Sequence, residues 1–434
     1  MIECGLILTS RIKSSRLENK VLQKINGKPA IEILLDRLIN NKYPVILAIP
    51  ENSDNDVLAE IAEQKGIEVY RGYDESPLHR LTYCAIENDF KNVVRVTHDD
   101  ILIDQIVLMN QIKMHIRGNK DYTFCRKIPD GCAAEVIRTD ILKEVVDLVG
   151  DKPVEFISYY IKNKYDTFEY YPDKEFQYPF RLTMDYEEDL MLLRLIFASL
   201  AEPIGTLDII NFLKRHPYFL NINRLPAITV YTCNYNTSDY IIDAMQSVLN
   251  QTFQDYEYIV IDDCSTDNSM NIITEYYAKL KRPDQEKIKI LRNDKNIGLP
   301  ACCNKVLEMA RGKNIIRLDS DDTMNSDALQ NMFDEMKLNQ AQAVITAYNN
   351  TDENLNIIDT INKNMWHPGC ALISTWAANE LKYQENLEFM EGKDFYERFR
   401  QKYKWSFYDK PMWNYRKRPG QKTQQKEHPL NKGE

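Results

Sequence analysis

Two acidic runs stand directly after apolar stretches of five residues. Asp319-Ser320-Asp321-Asp322 follows Asn314-Ile315-Ile316-Arg317-Leu318, and His98-Asp99-Asp100 follows Val93-Val94-Arg95-Val96-Thr97. A strand that ends in carboxylates places them at the carboxyl edge of a sheet, where open α/β folds bind ligands. Two or three hard oxygen donors there suit Mg²⁺ or Mn²⁺ shared with a diphosphate. The pattern therefore predicts two metal-dependent nucleotide sites in one chain. A third cluster, Arg11, Ser14, Arg16 and Lys20, crowds ten residues just past the first apolar run. Arginine forks and a lysine point charge suit a triphosphate, although the same residues also make an ordinary solvated basic loop.

Positioning such groups takes more than one core. At 434 residues the chain predicts two or three domains. A net charge of −10 argues against a general nucleic-acid binder, which carries a basic stripe. Apolar runs stay short of a membrane span, and the opening Met1-Ile2-Glu3-Cys4-Gly5-Leu6-Ile7-Leu8 reads as a first strand rather than a leader. None of the nine cysteines forms a C-x-x-C pair, so packing thiols are expected rather than zinc, adjacent Cys302 and Cys303 included.

Periodicity predicts strands at 2–8, 44–49, 67–70, 93–97 and 122–126, with helices near 29–41, 55–65, 76–89, 104–117, 187–200 and 206–214. Residues 216–226, with a proline near each end, read as a linker. A second alternation follows, with strands at 227–232, 257–262, 287–291, 314–318 and 343–347. Helices are expected at 238–250, 267–280, 299–311 and 325–337. The expected architecture is α/β: two tandem Rossmann-like domains, 1–223 and 224–434, each a mostly parallel sheet with helices on both faces, and a fraying basic tail from about 418.

Residues 10–22, Ser10-Arg11-Ile12-Lys13-Ser14-Ser15-Arg16-Leu17-Glu18-Asn19-Lys20-Val21-Leu22, resemble the R-x-x-S-x-R-L-P-G-K-x-L signature of the cytidylyltransferases. That family includes CMP-Kdo and CMP-sialic acid synthetases and a spore-coat polysaccharide branch. Gly27-Lys28-Pro29, Arg95-Val96-Thr97-His98-Asp99-Asp100, Gly131 through Val136, and Arg181-Leu182-Thr183-Met184-Asp185 fit its further segments. The resemblance implies nucleotidyl transfer from CTP to a phosphorylated or acidic sugar-like compound, and a homodimer. It assigns magnesium to Asp99 and Asp185, nucleotide binding to Arg11, Ser14, Arg16, Lys20 and Lys28, and catalytic charge neutralisation to Lys20 and Arg11. Glu18-Asn19 replaces Pro-Gly, and His98 stands where the family has glycine.

The second alternation resembles the family 2 glycosyltransferases of the GT-A fold. The residues are Asn234-Tyr235-Asn236, Ser247 through Thr252, Asp262-Asp263-Cys264-Ser265-Thr266-Asp267, Asn293 through Gly298, and Asp319 through Asp322. The resemblance implies inverting transfer from a nucleotide-sugar donor to a glycan acceptor. Asp263 would bind the base of the nucleotide, Asp319 or Asp321 its ribose, and Asp321 or Asp322 the metal. In Glu391-Gly392-Lys393-Asp394 the last residue matches the catalytic base, although an acid in a first helical turn also has a purely structural role. Tyr415-Arg416-Lys417-Arg418 matches a Y-R-x-H end with Arg418 in place of histidine, and Arg416 is assigned to the diphosphate. Trp366, His367 and Trp376 fall near the expected acceptor cleft.

Together these readings imply a cytoplasmic or inner-face peripheral enzyme of surface-polysaccharide synthesis. The competing readings are a glycosyltransferase with a non-catalytic N-terminal half, and a non-enzymatic assembly protein.

Overall fold

The computed structural model describes residues 2–14, 16–39, 41–151, 154, 157–162, 164–362, 371–387, 390–419 and 421. Trp366, His367, Cys370 and most of the basic tail fall outside them. The chain divides into two compact units, one ending at Arg224 and one beginning at Leu225.

In the first unit β1 (Gly5–Thr9), α1 (Ala30–Leu38), β2 (Val45–Pro50), α2 (Asp56–Gln64), β3 (Glu68–Gly72), α3 (Pro77–Glu87) and β4 (Asn92–Thr97) alternate as the periodicity predicts. After α4 (Gln105–Arg117) come β5 (Tyr122–Cys125), β6 (Glu135–Arg138), α5 (Thr139–Val149), β7 (Thr167–Tyr170), α6 (Glu187–Ser199) and α7 (Thr206–Arg215). The seven strands lie in the order β3-β2-β1-β4-β6-β5-β7. Only β6 runs against its neighbours, pairing antiparallel with β4 and β5. Alternate residues serve opposite faces, as the strand period of two requires. Leu6, Leu8, Val94 and Val96 enter one core, while Ile7 and Val93 enter the other.

The expected linker is corrected by the structure. Pro217–Asn221 is a 3₁₀ turn, and Phe219, Leu220 and Ile222 pack on the first core. Asn223 is buried and donates to the Arg181 carbonyl and to Asp189 Oδ1, each at 2.9 Å. Apolar side chains every few residues gave this segment surface to bury, which its prolines obscured.

In the second unit β8 (Ile228–Asn234), α8 (Ile241–Leu249), β9 (Tyr256–Asp262), α9 (Ser269–Lys279), β10 (Ile288–Arg292), α10 (Leu299–Met309) and β11 (Asn314–Arg317) form the parallel half. Next come β12 (Thr323–Met324), α11 (Ala328–Asn339), β13 (Ala343–Thr351), β14 (Ile357–Ile361), β15 (Ala371–Ser374), α12 (Thr375–Leu381), α13 (Glu391–Lys402) and β16 (Trp405–Arg416). The nine strands run β10-β9-β8-β11-β15-β13-β16-β12, with β14 on the side of β13. β15 joins antiparallel to β11 and to β13, so this half of the sheet is mixed. Polar residues and Pro411 hide β16 from a periodicity reading. The structure accommodates the proline where the register against β13 shifts, opposite Ala347. No helix among the described residues is long and apolar enough to cross a membrane.

His115 on α4 ties the helix to the sheet. Its Nδ1 lies 2.8 Å from Thr123 Oγ1 and its Nε2 lies 3.1 Å from Asn92 Oδ1. The Asn92 amide nitrogen donates to the Glu3 carbonyl, so its oxygen faces the ring and accepts from Nε2–H. Burial, assisted by Arg138, pushes the imidazole from 6.5 down to about 4. The unfolded chain takes up this proton near 6.5 and the folded chain only near 4, so stability is fully present above 6.5 and declines as pH falls through that window. The urea midpoint is expected to drop between pH 7 and 5 more steeply for the native chain than for His115→Gln. Parallel midpoint curves for the two proteins would contradict this assignment.

Candidate functional site

In the first unit the loop after β1 returns to the sheet edge through Asn19, which adopts a left-handed conformation (φ 46°) just before the turn Lys20–Leu22. This buries Lys20, whose Nζ lies 3.1 Å from Asp185 Oδ1 and 3.7 Å from Asp99 Oδ2. Residues far apart in sequence thus meet around one ammonium. Arg16 Nη1 approaches Asp185 Oδ1 at 3.5 Å, and Arg181 Nη2 donates to Asp185 Oδ2 at 3.1 Å. The Met184 N–H donates to the Asp99 carbonyl at 3.0 Å, which locks the two acidic segments together.

Behind this cluster Asp189 is the anchor. Fully buried, it accepts from Arg181 Nε and Nη2, from the Asp185 and Tyr186 N–H groups, and from Asn223. Gly131, at φ +92°, lets the neighbouring loop approach. A Cβ there would meet Thr183 N at 2.6 Å and Leu182 C at 2.7 Å. Glycine is required both for the dihedral and for the clearance.

The charges are unevenly compensated. Burial pushes Asp99 up, but Lys20 and His98 outweigh it and hold the carboxyl below its ordinary range. Asp185 behaves alike, lifted by burial and drawn down further by Lys20, Arg16 and Arg181. Asp100 is pushed well above its ordinary value by burial and by Asp99, and accepts from Thr97 Oγ1 at 2.7 Å. Asp99 Oδ1 is buried with no partner among the described residues. Burial and Lys20 lower His98 to about 4, so its ring is neutral, with Nδ1 3.3 Å from the Thr9 carbonyl.

Arg11 is exposed and Ser14 half-buried on the same loop. Lys28 is not brought to this cluster. It sits on a short hairpin with Nζ 3.3 Å from Asp36, a carboxyl that also takes Lys65. The hairpin directs Lys28, expected at the nucleotide, toward α1 and this surface ion pair.

In the second unit Asn234, at the end of β8, donates to Asp262 Oδ1 at 2.7 Å and to Ser265 Oγ at 3.1 Å. Asp263 is buried and holds a loop. It accepts from Asn293 Nδ2, Ile297 N–H and Gly298 N–H, each at 2.9 Å. Gly298, at φ +87°, turns that loop into α10.

The acidic run after β11 is stitched into the unit. Arg317, buried within the strand, grips Asp319 with Nε at 2.7 Å and Nη2 at 3.2 Å, and its Nη1 reaches Glu391 at 3.3 Å. Asp322 is wholly buried and accepts from the Trp413 indole at 3.0 Å and the Arg416 N–H at 2.9 Å. Burial, Asp321 and Asp319 push its carboxyl well above the ordinary range. Both oxygens of Asp322, expected as one of the metal ligands, face the strand β16. Arg416, expected at the diphosphate, is also engaged by groups of the protein. Its buried guanidinium binds Asp243 at 2.7 Å and the Glu353 carbonyl at 2.9 Å, so it braces the fold. Arg418 is half-buried, with Nε 2.8 Å from Asp321 Oδ2.

Asp394 lies in the first turn of α13 and is held by Arg398, whose Nε and Nη2 both fall on Oδ2, at 2.9 and 2.7 Å. Trp376 is exposed and meets the Tyr403 ring edge-on at 5.3 Å. Sequence reasoning passed over Asp189, Asn223, Arg317, Glu391 and Trp413. A charge inside the apolar run 314–318 was the available sign of Arg317.

A family profile described as cytidylyltransferase matches residues 6–201, and one described as glycosyl transferase family 2 matches 229–421. The chain joins a cytidylyltransferase domain to a family 2 glycosyltransferase domain. The cytidylyltransferase domain is similar to the spore coat polysaccharide biosynthesis protein SpsF of Bacillus subtilis. The two are 24% identical over 225 residues, covering 49% of this chain and 94% of the relative. It is also similar to the solved structure of a cytidylyltransferase from Leptospira borgpetersenii. That match has a TM-score of 0.48 and 24% identity, covering 52% of this chain and 98% of the other. The glycosyltransferase domain is similar to the putative teichuronic acid biosynthesis glycosyltransferase TuaG of B. subtilis. Identity is 36% over 126 residues, covering 29% of this chain and 48% of the relative. On the glycosyltransferase side the chain spans about a fifth to a half of the length of the first curated relatives it matches.

Within the glycosyltransferase domain Arg317 links the acidic strand end to the helix that carries Asp394. Arg317→Met leaves Asp319 and Glu391 without their shared cation. It is expected to cost about 3 kcal/mol, the low end for a broken buried pair because Asp319 retains some solvent. Urea unfolding would measure this, and a change below about 1 kcal/mol would show that Arg317 is dispensable to the fold.

Proposed function

We propose that the chain is a bifunctional enzyme of surface-polysaccharide synthesis. Its first domain transfers a cytidylyl group from CTP to a sugar acid or phosphorylated compound, and its second makes a glycosidic bond from a nucleotide-sugar donor with inversion. The observation that carries the first half is the cluster in which one buried ammonium, Lys20, stands between Asp99 and Asp185. The names of SpsF and TuaG support the polysaccharide setting.

Nucleotidyl transfer asks little covalent work of the protein. An oxygen of the acceptor bonds to the α-phosphorus, the bond to the bridging oxygen breaks, and pyrophosphate leaves with the electron pair. Position and charge decide the rate. Arg11 and Arg16 on the loop neutralise the triphosphate, and Lys20 fixes the two carboxylates while adding a third positive charge. Asp99 and Asp185 fit a divalent cation, because Asp99 Oδ1 is buried and unsatisfied and both carboxyls stay ionised. Mg²⁺ or Mn²⁺ held there would offset charge on the phosphates.

In the second domain the acceptor oxygen bonds to the anomeric carbon as the bond to the nucleoside diphosphate breaks. Asp394 takes the acceptor hydroxyl proton. Arg398 occupies its Oδ2, so Oδ1 is the oxygen assigned to the proton.

Asp99→Asn is expected to lower pyrophosphate release from CTP, assayed with Mg²⁺ and a panel of sugar acids and sugar phosphates, by at least ~10²-fold. Glycosyl transfer should remain. Asp394→Asn is expected to do the reverse, with a loss of roughly 10²–10⁴-fold in glycosyl transfer. If both variants lose both activities equally, or neither variant loses any, the two-site reading is wrong.

A further inference from the structure

The acidic run after β11 has the composition of a divalent-cation site without its disposition of lone pairs. Asp319 offers one oxygen to Arg317 Nε and the other to Nη2. Asp322 directs both oxygens inward, to Trp413 and to the Arg416 N–H. Asp321 turns to a third donor, and its Oδ2 accepts from Arg418 Nε at 2.8 Å. A resident Mg²⁺ or Mn²⁺ needs several oxygen lone pairs converging on one point. Here the carboxylates diverge, each to a different protein donor. The residues present do not fit the cation that the family resemblance implies.

Arg418 sharpens the disagreement. It replaces the histidine of the Y-R-x-H pattern. Histidine offers a metal a nitrogen lone pair, whereas a guanidinium carries donors only and cannot act as a ligand. The side chain is also held in place. Its guanidinium lies over the Tyr240 ring, 5.0 Å from the centroid, and Arg416 stands 4.9 Å from the same ring. Its backbone N–H donates to Gln421 Oε1 at 3.3 Å, and Gln421 donates back to the Arg416 carbonyl. Only 17% of the side chain is exposed, so its charge is partly desolvated and strong.

We propose that Arg418 takes the place of a metal ion in the glycosyltransferase domain: its guanidinium neutralises the departing nucleoside diphosphate, and transfer runs without a divalent cation. The inference rests on the glycosyl-transfer reading above. As the bond from the anomeric carbon to the β-phosphate oxygen breaks, its electron pair stays on that oxygen and Arg418 offsets the added charge through donated hydrogen bonds. The acceptor proton goes to Asp394, and Arg418 neither gives nor takes one. Asp321 then serves as a positioning residue, holding the guanidinium until phosphate oxygens replace it.

The test uses the full chain carrying Asp99→Asn and Asp185→Asn, which removes the first domain's carboxylates from the count. Mn²⁺ is titrated by electron paramagnetic resonance with UDP or CDP as probe. The expected result is no bound Mn²⁺ with Arg418 intact and one per chain in Arg418→His. Turnover of UDP- and CDP-sugars should be unchanged by EDTA and should fall at least ~10²-fold in Arg418→Ala. One Mn²⁺ per chain with Arg418 intact, lost again in Asp321→Asn, overturns the proposal, as does abolition of transfer by EDTA. If no nucleotide sugar is turned over, the glycosyl-transfer reading fails separately. UDP and CDP affinities in EDTA then decide the role of Arg418. A loss of at least ~10-fold in Arg418→Ala supports it, and equal affinities overturn it.

Discussion

Carboxylates gathered close together repel one another, and in each unit of this chain a buried cation holds such a group together. In the cytidylyltransferase domain that cation is Lys20, between Asp99 and Asp185. In the glycosyltransferase domain it is Arg317, between Asp319 and Glu391. A buried charge is costly alone and tolerable when paired on several sides. The elements that deliver these partners are therefore bound to one another electrostatically as well as by packing: the loop after β1 to the segment before α6, and β11 to α13.

The two domains answer the same constraint with different chemistry. A lysine is a compact charge, and Lys20 touches one oxygen each of Asp99 and Asp185. That contact leaves Asp99 Oδ1 buried and unsatisfied, a configuration that invites a second cation. An arginine fork takes both oxygens of a carboxylate. Arg317 does so at Asp319, while Trp413 and the Arg416 N–H close Asp322. The similar run of aspartates thus yields an open arrangement in one domain and a closed one in the other.

Much of the fold was legible in the chain. Strands that alternate with amphipathic helices announced themselves by period, and β1, β2, β4, β8, β9 and β11 lie where the apolar runs predict. The segments that escaped were those whose local signal conflicts with their placement. β16 carries Pro411 and charged residues yet pairs along the whole of β13, because a shifted register absorbs the proline. The segment 217–223 has a proline and polar residues yet packs on the first core, and Asn223 completes the shell of Asp189.

The sequence alone determined which residues could do chemistry: acids at strand ends, a basic loop after the first strand, and motifs that resemble two transferase families. It did so because strand periodicity and residue type are local properties. Only the tertiary structure decided which of those groups share a pocket and which are spent on the fold. Asp321 and Asp322 are adjacent in the chain and opposite in role, one turned to Arg418 and the other buried against Trp413. Consecutive residues at the end of a strand point in different directions. Their partners come from β16 and the residues just after it, more than ninety residues away, and no local pattern encodes that meeting.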